Sequence, residues 1–253
     1  MNLKKLLITV PFLAIFFIFW QTEKKTNDEP GANILLHFNT VVDNKQFFFD
    51  SIYTNSFGEN FSVSKFKYYI SNIEFKNSAT GAKKSIPNSY YLVNEADSSS
   101  KDILINVPDG NYTTISFLLG VDSIKNVSGA QSGALDPAND MFWTWNTGYV
   151  MAKIEGASPV SKQVHHKIEY HIGGFKGENS VLQKIRLIIP SLQNSKGKKN
   201  LKLTIDADIN TWFQGSHDLS IAQNPVCTTP GLLAKQFSEN YRNMFKVRSV
   251  IAD

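Results

Sequence analysis

The chain has 253 residues, of which 42% are apolar and 19% charged, and its formal net charge is +4. That length can bury a core without covalent staples, and that balance excludes a disordered chain, a polytopic membrane protein and a nucleic-acid binder. A single cysteine excludes an intrachain disulfide framework and a cysteine-rich metal cage.

The chain opens on a basic head, Met1-Asn2-Leu3-Lys4-Lys5, followed by an uncharged run from Leu6 to Trp20. This is the layout of an export signal, in which the lysines stay on the cytoplasmic side and the apolar run enters the bilayer. The run leads into Gln21 without a small-residue cleavage site, and no lipobox cysteine follows. Residues 1–20 are therefore expected to be a signal peptide or an N-terminal anchor that holds the membrane through residues 6–20. The remainder is expected on the periplasmic or extracellular side of a bacterial membrane. Residues 21–32 are polar and read as a linker, and residues 33–253 as one domain.

That domain reads as β. Short runs rich in Phe, Tyr, Ile and Val recur between turn signals. Asn33–Val42 alternates, with Ile34, Leu36 and Phe38 on one face, and Asp43-Asn44 turns it toward a second run, Gln46–Ile52. Phe61–Phe75 is longer and suits either a strand or a helical turn. Tyr90–Val93, Ile103–Val107, Tyr112–Leu119, Tyr149–Ile154, Lys167–His171, Leu182–Ile189 and Leu201–Ile209 follow, with Pro108-Asp109-Gly110 as a turn. Residues 121–148 form a long connection rich in Gly, Asn, Ser and Asp, and loops of that length are usually functional. Leu233, Phe237, Tyr241 and Met244 or Phe245 recur at helical spacing behind Pro230. The spacing and the absence of βα alternation predict an all-β fold: an antiparallel β-sandwich with long functional loops and a C-terminal amphipathic helix. Asn194–Asn200 reads as a basic, solvated hairpin tip.

Phosphate-binding, zinc-protease and nucleophile-elbow motifs are all absent. Asp206 and Asp208 share a strand face and support a hydrolase only weakly, so the chain is not expected to be an enzyme. Cys227 reads as a quiet, partly buried thiol. Imidazole suits copper, nickel and zinc. His165 and His166 are adjacent and would face opposite sides of a strand. His171 ends a strand before Gly173-Gly174, His37 sits mid-strand opposite the apolar face, and His217 follows Gln214-Gly215-Ser216 in a polar turn. The densest aromatic cluster is Met141-Phe142-Trp143-Thr144-Trp145, followed by Gly148-Tyr149. On a strand Met141, Trp143, Trp145 and Tyr149 would share a face, as core, as a sugar-stacking platform, or as a redox-accessible pair beside a metal.

The run Gly133-Ala134-Leu135-Asp136-Pro137, then Met141 to Trp145, Gly148-Tyr149 and Glu155-Gly156, resembles the MbnP-like copper-binding domain family. Leu36-His37-Phe38, Val63 to Ile73, Gly120-Val121-Asp122, His171 to Gly174 and Asn240 to Phe245 resemble it in order and type. The resemblance covers roughly residues 33–247. It implies binding of a single copper ion outside the cytoplasm. It also implies a tryptophan oxidised to kynurenine near the site, with Trp143 and Trp145 as the candidates and a di-haem peroxidase as the modifying partner. It aligns His37 and His171 with family histidines; His217 joins them as a metal candidate on chemistry alone, with Met141 nearby. The competing expectation is a β-sandwich module that binds a glycan or a protein partner through the tryptophans.

Overall fold

The computed structural model describes residues 31–252 apart from Asp50, Asp109, Thr147 and 193–199. The expected leader, the linker up to residue 30 and most of the basic turn lie outside the described residues.

The strands, in chain order, are β1 (Gly31–Val42), β2 (Lys45–Gln46), β3 (Tyr53–Thr54), β4 (Asn60–Lys76), β5 (Lys83–Asn94), β6 (Asp102–Pro108) and β7 (Tyr112–Leu119). They continue with β8 (Phe142–Trp143), β9 (Gly148–Ala157), β10 (Lys167–Gly173), β11 (Gln183–Leu192), β12 (Asn200–Asp208), β13 (Val226–Cys227) and β14 (Phe245–Ala252). The helices are α1 (Ser123–Asn126) and α2 (Leu232–Tyr241). The smaller sheet runs β14-β12-β1-β2, with β6 also on β1. The larger runs β11-β7-β4-β9-β10-β13, with β3 and β5 on β4 and β8 on β9.

The sandwich is as expected, but its sheets are mixed rather than purely antiparallel. β1 pairs β12 in parallel from Asn33↔Asn200 to Val41↔Asp208, and β10 pairs β13 in parallel. Alternation reports which residues share a face and carries no record of strand direction, so the sequence could not reveal this. The inner faces meet through rings: Phe38 of β1 packs edge-on against Tyr68 of β4 and Phe117 of β7, with centroids 6.2 and 5.9 Å away. Edge-to-face packing is the preferred geometry for such pairs.

Four local expectations change. Residues 61–75 lie within the strand β4, and Asn72 at φ 52° marks a register shift rather than a helical turn. Among the described residues of the second run only Gln46 pairs as a strand, as the end of β2; Phe47 turns inward against Phe49 and Tyr53 while Phe48 stays exposed. The C-terminal helix stops at Tyr241, because Phe245 begins β14 and packs its ring on Phe38, Phe117 and Tyr68. β1 begins at Gly31, with Ala32 already buried, two residues ahead of the expected start.

The 121–148 connection lies over the outer face of the larger sheet. Tyr69 donates to the Ala134 carbonyl at 3.0 Å, Tyr149 to Leu135 at 2.7 Å, and Lys67 to Asn139 at 3.0 Å. Asp122 caps α1 by accepting from the amides of Ile124 and Lys125. These anchors cover part of a sheet face that would otherwise meet water.

Candidate metal centre

Three neighbouring strands build a charged patch on that outer face. In one row Lys65 of β4 stands opposite Glu155 of β9, which stands opposite Glu169 of β10. In the next row Lys67 and His171 flank Lys153. The period of two along each strand turns these side chains outward while Phe66, Tyr68, Ile154 and Tyr170 go to the core. Like charges directly opposite one another are unfavourable. The long connection relieves this: Lys153, only 2% exposed, reaches Asp140 Oδ2 at 3.0 Å and also donates to the Asp140 carbonyl.

His171 Nε2 lies 2.9 Å from Glu155 Oε1 and 3.6 Å from Glu169 Oε1. Among the described residues this is the one group of three His, Cys, Asp or Glu side chains whose ligand atoms all fall within 4.8 Å of one another. Burial, aided by the Lys153 ammonium, outweighs the two carboxylates and holds the His171 imidazole below its ordinary pKa, so the ring is neutral at pH 7. At Glu155 burial opposes the charge, but the His171 hydrogen bond and Lys65 prevail and hold the carboxyl below its usual range. An imidazole beside two carboxylates is a donor set that copper or zinc accepts.

The tryptophan motif forms the adjoining wall. Phe142 and Trp143 pair with Tyr149 and Gly148, so the motif is a hairpin whose tip carries Trp145, and not one continuous strand. Trp143 is 6% exposed and Trp145 62%, with ring centroids 5.3 Å apart. Gly173 lets Trp143 close on β10: a Cβ there would lie 2.6 Å from Trp143 Cζ3. The indole and His171 line the same cavity. Trp143, Trp145, Glu169, His171, Thr228 and Thr229 line an open cavity of about 480 Å³.

The expected ligand trio is not brought together. His37, on the smaller sheet, lies 2.7 Å from Asp102 Oδ1, and His217 lies 2.5 Å from Glu239 Oε2 beside α2. β1 belongs to the smaller sheet, and the backbone of His217 is tied to Asn240 of α2. Met141 is fully buried and does not line the cavity. His165 and His166 occupy a turn at φ 58° and 55°, not a strand. Asp206 is held by Arg248 at 2.6 Å and by Asn39 at 2.9 Å, and Asp208 accepts from the amides of Asp43 and Asn210. Burial pushes the Cys227 thiol up to about 12, so no thiolate forms at neutral pH. Sequence reading missed Glu155 and Glu169. Glu169 could have been found two residues before His171 on the same face; Glu155 required the β9–β10 register.

The fold and the cluster define a class: a mixed two-sheet β-sandwich with a carboxylate–imidazole group and a tryptophan pair on the outer face of its larger sheet. The MbnP family model matches residues 31–229, so the chain belongs to the MbnP family. Membership carries a methanobactin-associated, copper-related role at the level of the family. Among solved structures the fold is similar to MbnP from Methylosinus trichosporium, with a TM-score of 0.54 at 12% identity over 88% of this chain and 99% of that one. No curated protein matches the chain.

Proposed function

We propose that this is an exported copper-binding protein that holds a single ion and handles copper without turning over a substrate. The observation that carries the reading is the convergence of His171, Glu155 and Glu169 beside Trp143 and Trp145. Export rests on the basic and apolar pattern of residues 1–20. Kynurenine formation at Trp143 or Trp145, carried out by a di-haem peroxidase partner, would add an aniline nitrogen and a ketone to the cavity wall. An indole N–H offers no such lone pair. His37 and His217 take no part in this site.

Metal analysis and equilibrium titration of the purified protein test the reading. Copper binds at one equivalent, and His171→Ala weakens it by at least about tenfold, the least expected when a ligand is lost. Peptide mass spectrometry of 141–149 from the native host reads the tryptophans. A protein that takes no copper, or whose copper ignores His171→Ala, would sink the proposal. The exposure of Trp145 favours one second reading, a glycan-stacking module. Quenching of tryptophan fluorescence by sugars, unchanged by His171→Ala, would select it.

A further inference from the structure

The candidate ligands are already engaged by ammonium groups. Lys65 Nζ lies 3.2 Å from Glu155 Oε2 and 3.1 Å from Asp140 Oδ2. Lys167 Nζ lies 2.9 Å from Glu169 Oε1. Lys153 Nζ lies 3.8 Å from Glu155 Oε1 and 3.0 Å from Asp140 Oδ2. The carboxylates of Glu155, Glu169 and Asp140 are thus balanced by the ammonium groups of Lys65, Lys153 and Lys167. Lys67, opposite Lys153, adds a fourth ammonium group, so the patch has no net negative charge to offer an arriving cation.

The three lysines paired with the carboxylates differ in freedom. Lys153 is buried under the connection and tied to Asp140. The side chains of Lys65 and Lys167 are 44% and 48% exposed, and each is a flexible stem with its charge at the rim. They can swing into water without unpacking the sheet.

Building on the copper reading, we propose that Lys65 and Lys167 set the charge selectivity of this site. They lie over the carboxylates at the rim of the site, and their positive charge there disfavours a divalent ion more than a monovalent one. Coulomb repulsion scales with the product of the charges, so a lysine repels a dication twice as strongly as a monocation at the same distance. Free energies are logarithms of affinity. Removing a lysine should therefore raise divalent affinity by about the square of the factor it gives the monovalent ion. The hard carboxylate donors favour divalent ions; the lysines oppose that preference and bring Cu(I) into range.

Zn(II) and Cu(I), the latter under anaerobic chelator competition, serve as probes on the full protein. The variants are Lys167→Met, Lys65→Met/Lys167→Met, His171→Ala, and Lys184→Met as a control that removes one exposed charge elsewhere. The double variant is expected to gain about threefold for Cu(I) and about tenfold for Zn(II), the scale of exposed ion pairs. The Nζ resonances of Lys65 and Lys167 are expected to shift on Zn(II) loading. Equal gains for both ions, no gain, a gain as large in Lys184→Met, or unshifted resonances would each overturn the proposal. Lys167→Gln repeats the test if the Met variant loses its near-ultraviolet circular dichroism. If the unaltered protein binds neither ion through His171, it is the copper reading that fails.

Discussion

A side chain at Gly173 would collide with an immovable neighbour. Its Cβ would lie 2.6 and 2.7 Å from Trp143 Cζ3 and Cη2, and 2.8 Å from the Tyr149 carbonyl oxygen. Backbone cannot move aside cheaply, so Gly173→Ala is expected to cost about 1–3 kcal/mol and to push the indole away from His171. Thermal unfolding and tryptophan emission read the two effects; an unshifted melt and spectrum would contradict the packing. The sequence signalled tightness at Gly173-Gly174 but not its cause, because the indole arrives from a hairpin thirty positions earlier. The histidines teach a similar lesson. His37, His171 and His217 are equivalent by residue type, and what separates them is the carboxylate each finds: Asp102, Glu155 or Glu239.

Among the elements, the loop that leads into β13 depends on one buried carboxylate. Glu59, just before β4, accepts from Asn55 Nδ2 at 2.7 Å and from the amides of Ile221 and Ala222 at 2.7 and 2.9 Å. It thereby holds the segment that carries Thr228 and Thr229 to the cavity wall. Glu59→Ala leaves the buried Ile221 amide unpaired, worth about 1–3 kcal/mol. The urea midpoint should fall, hydrogen exchange across 221–229 should quicken, and Glu59→Gln should lose less. Unchanged exchange there would mean that the loop holds without Glu59. None of this was legible beforehand, since Glu59 lies far along the chain from the amides it caps. The long connection was expected to be functional from its length; in the structure it roofs Lys153 and carries Trp143 and Trp145.

For the whole molecule, closure of the smaller sheet lies beyond the family match, which ends at residue 229. β14 pairs β12 from Ala207↔Phe245 to Leu201↔Ala252, and Phe245 joins the ring cluster of Phe38, Tyr68 and Phe117. Losing a buried Phe costs about 3–5 kcal/mol, a large share of the roughly 5–15 kcal/mol that a domain commands. Truncation after Tyr241 would also bare the β12 edge to other chains. The truncated protein is expected to lose its cooperative melt and aggregate; a sharp melt near that of the full chain would count against this account.

Residue order by itself determined the β character, the alternation that sends Ile34, Leu36 and Phe38 inward, the Asp43-Asn44 turn and the family's tryptophan motif. These depend on the chemistry of adjacent residues. Tertiary structure alone decided that β1 runs parallel to β12, that Glu155 stands beside Glu169, and that His171, rather than His37 or His217, joins them. Alternation tells which residues share a face of one strand. Which strand lies alongside, in what direction and register, follows from contacts between distant segments, and the site is made of those contacts.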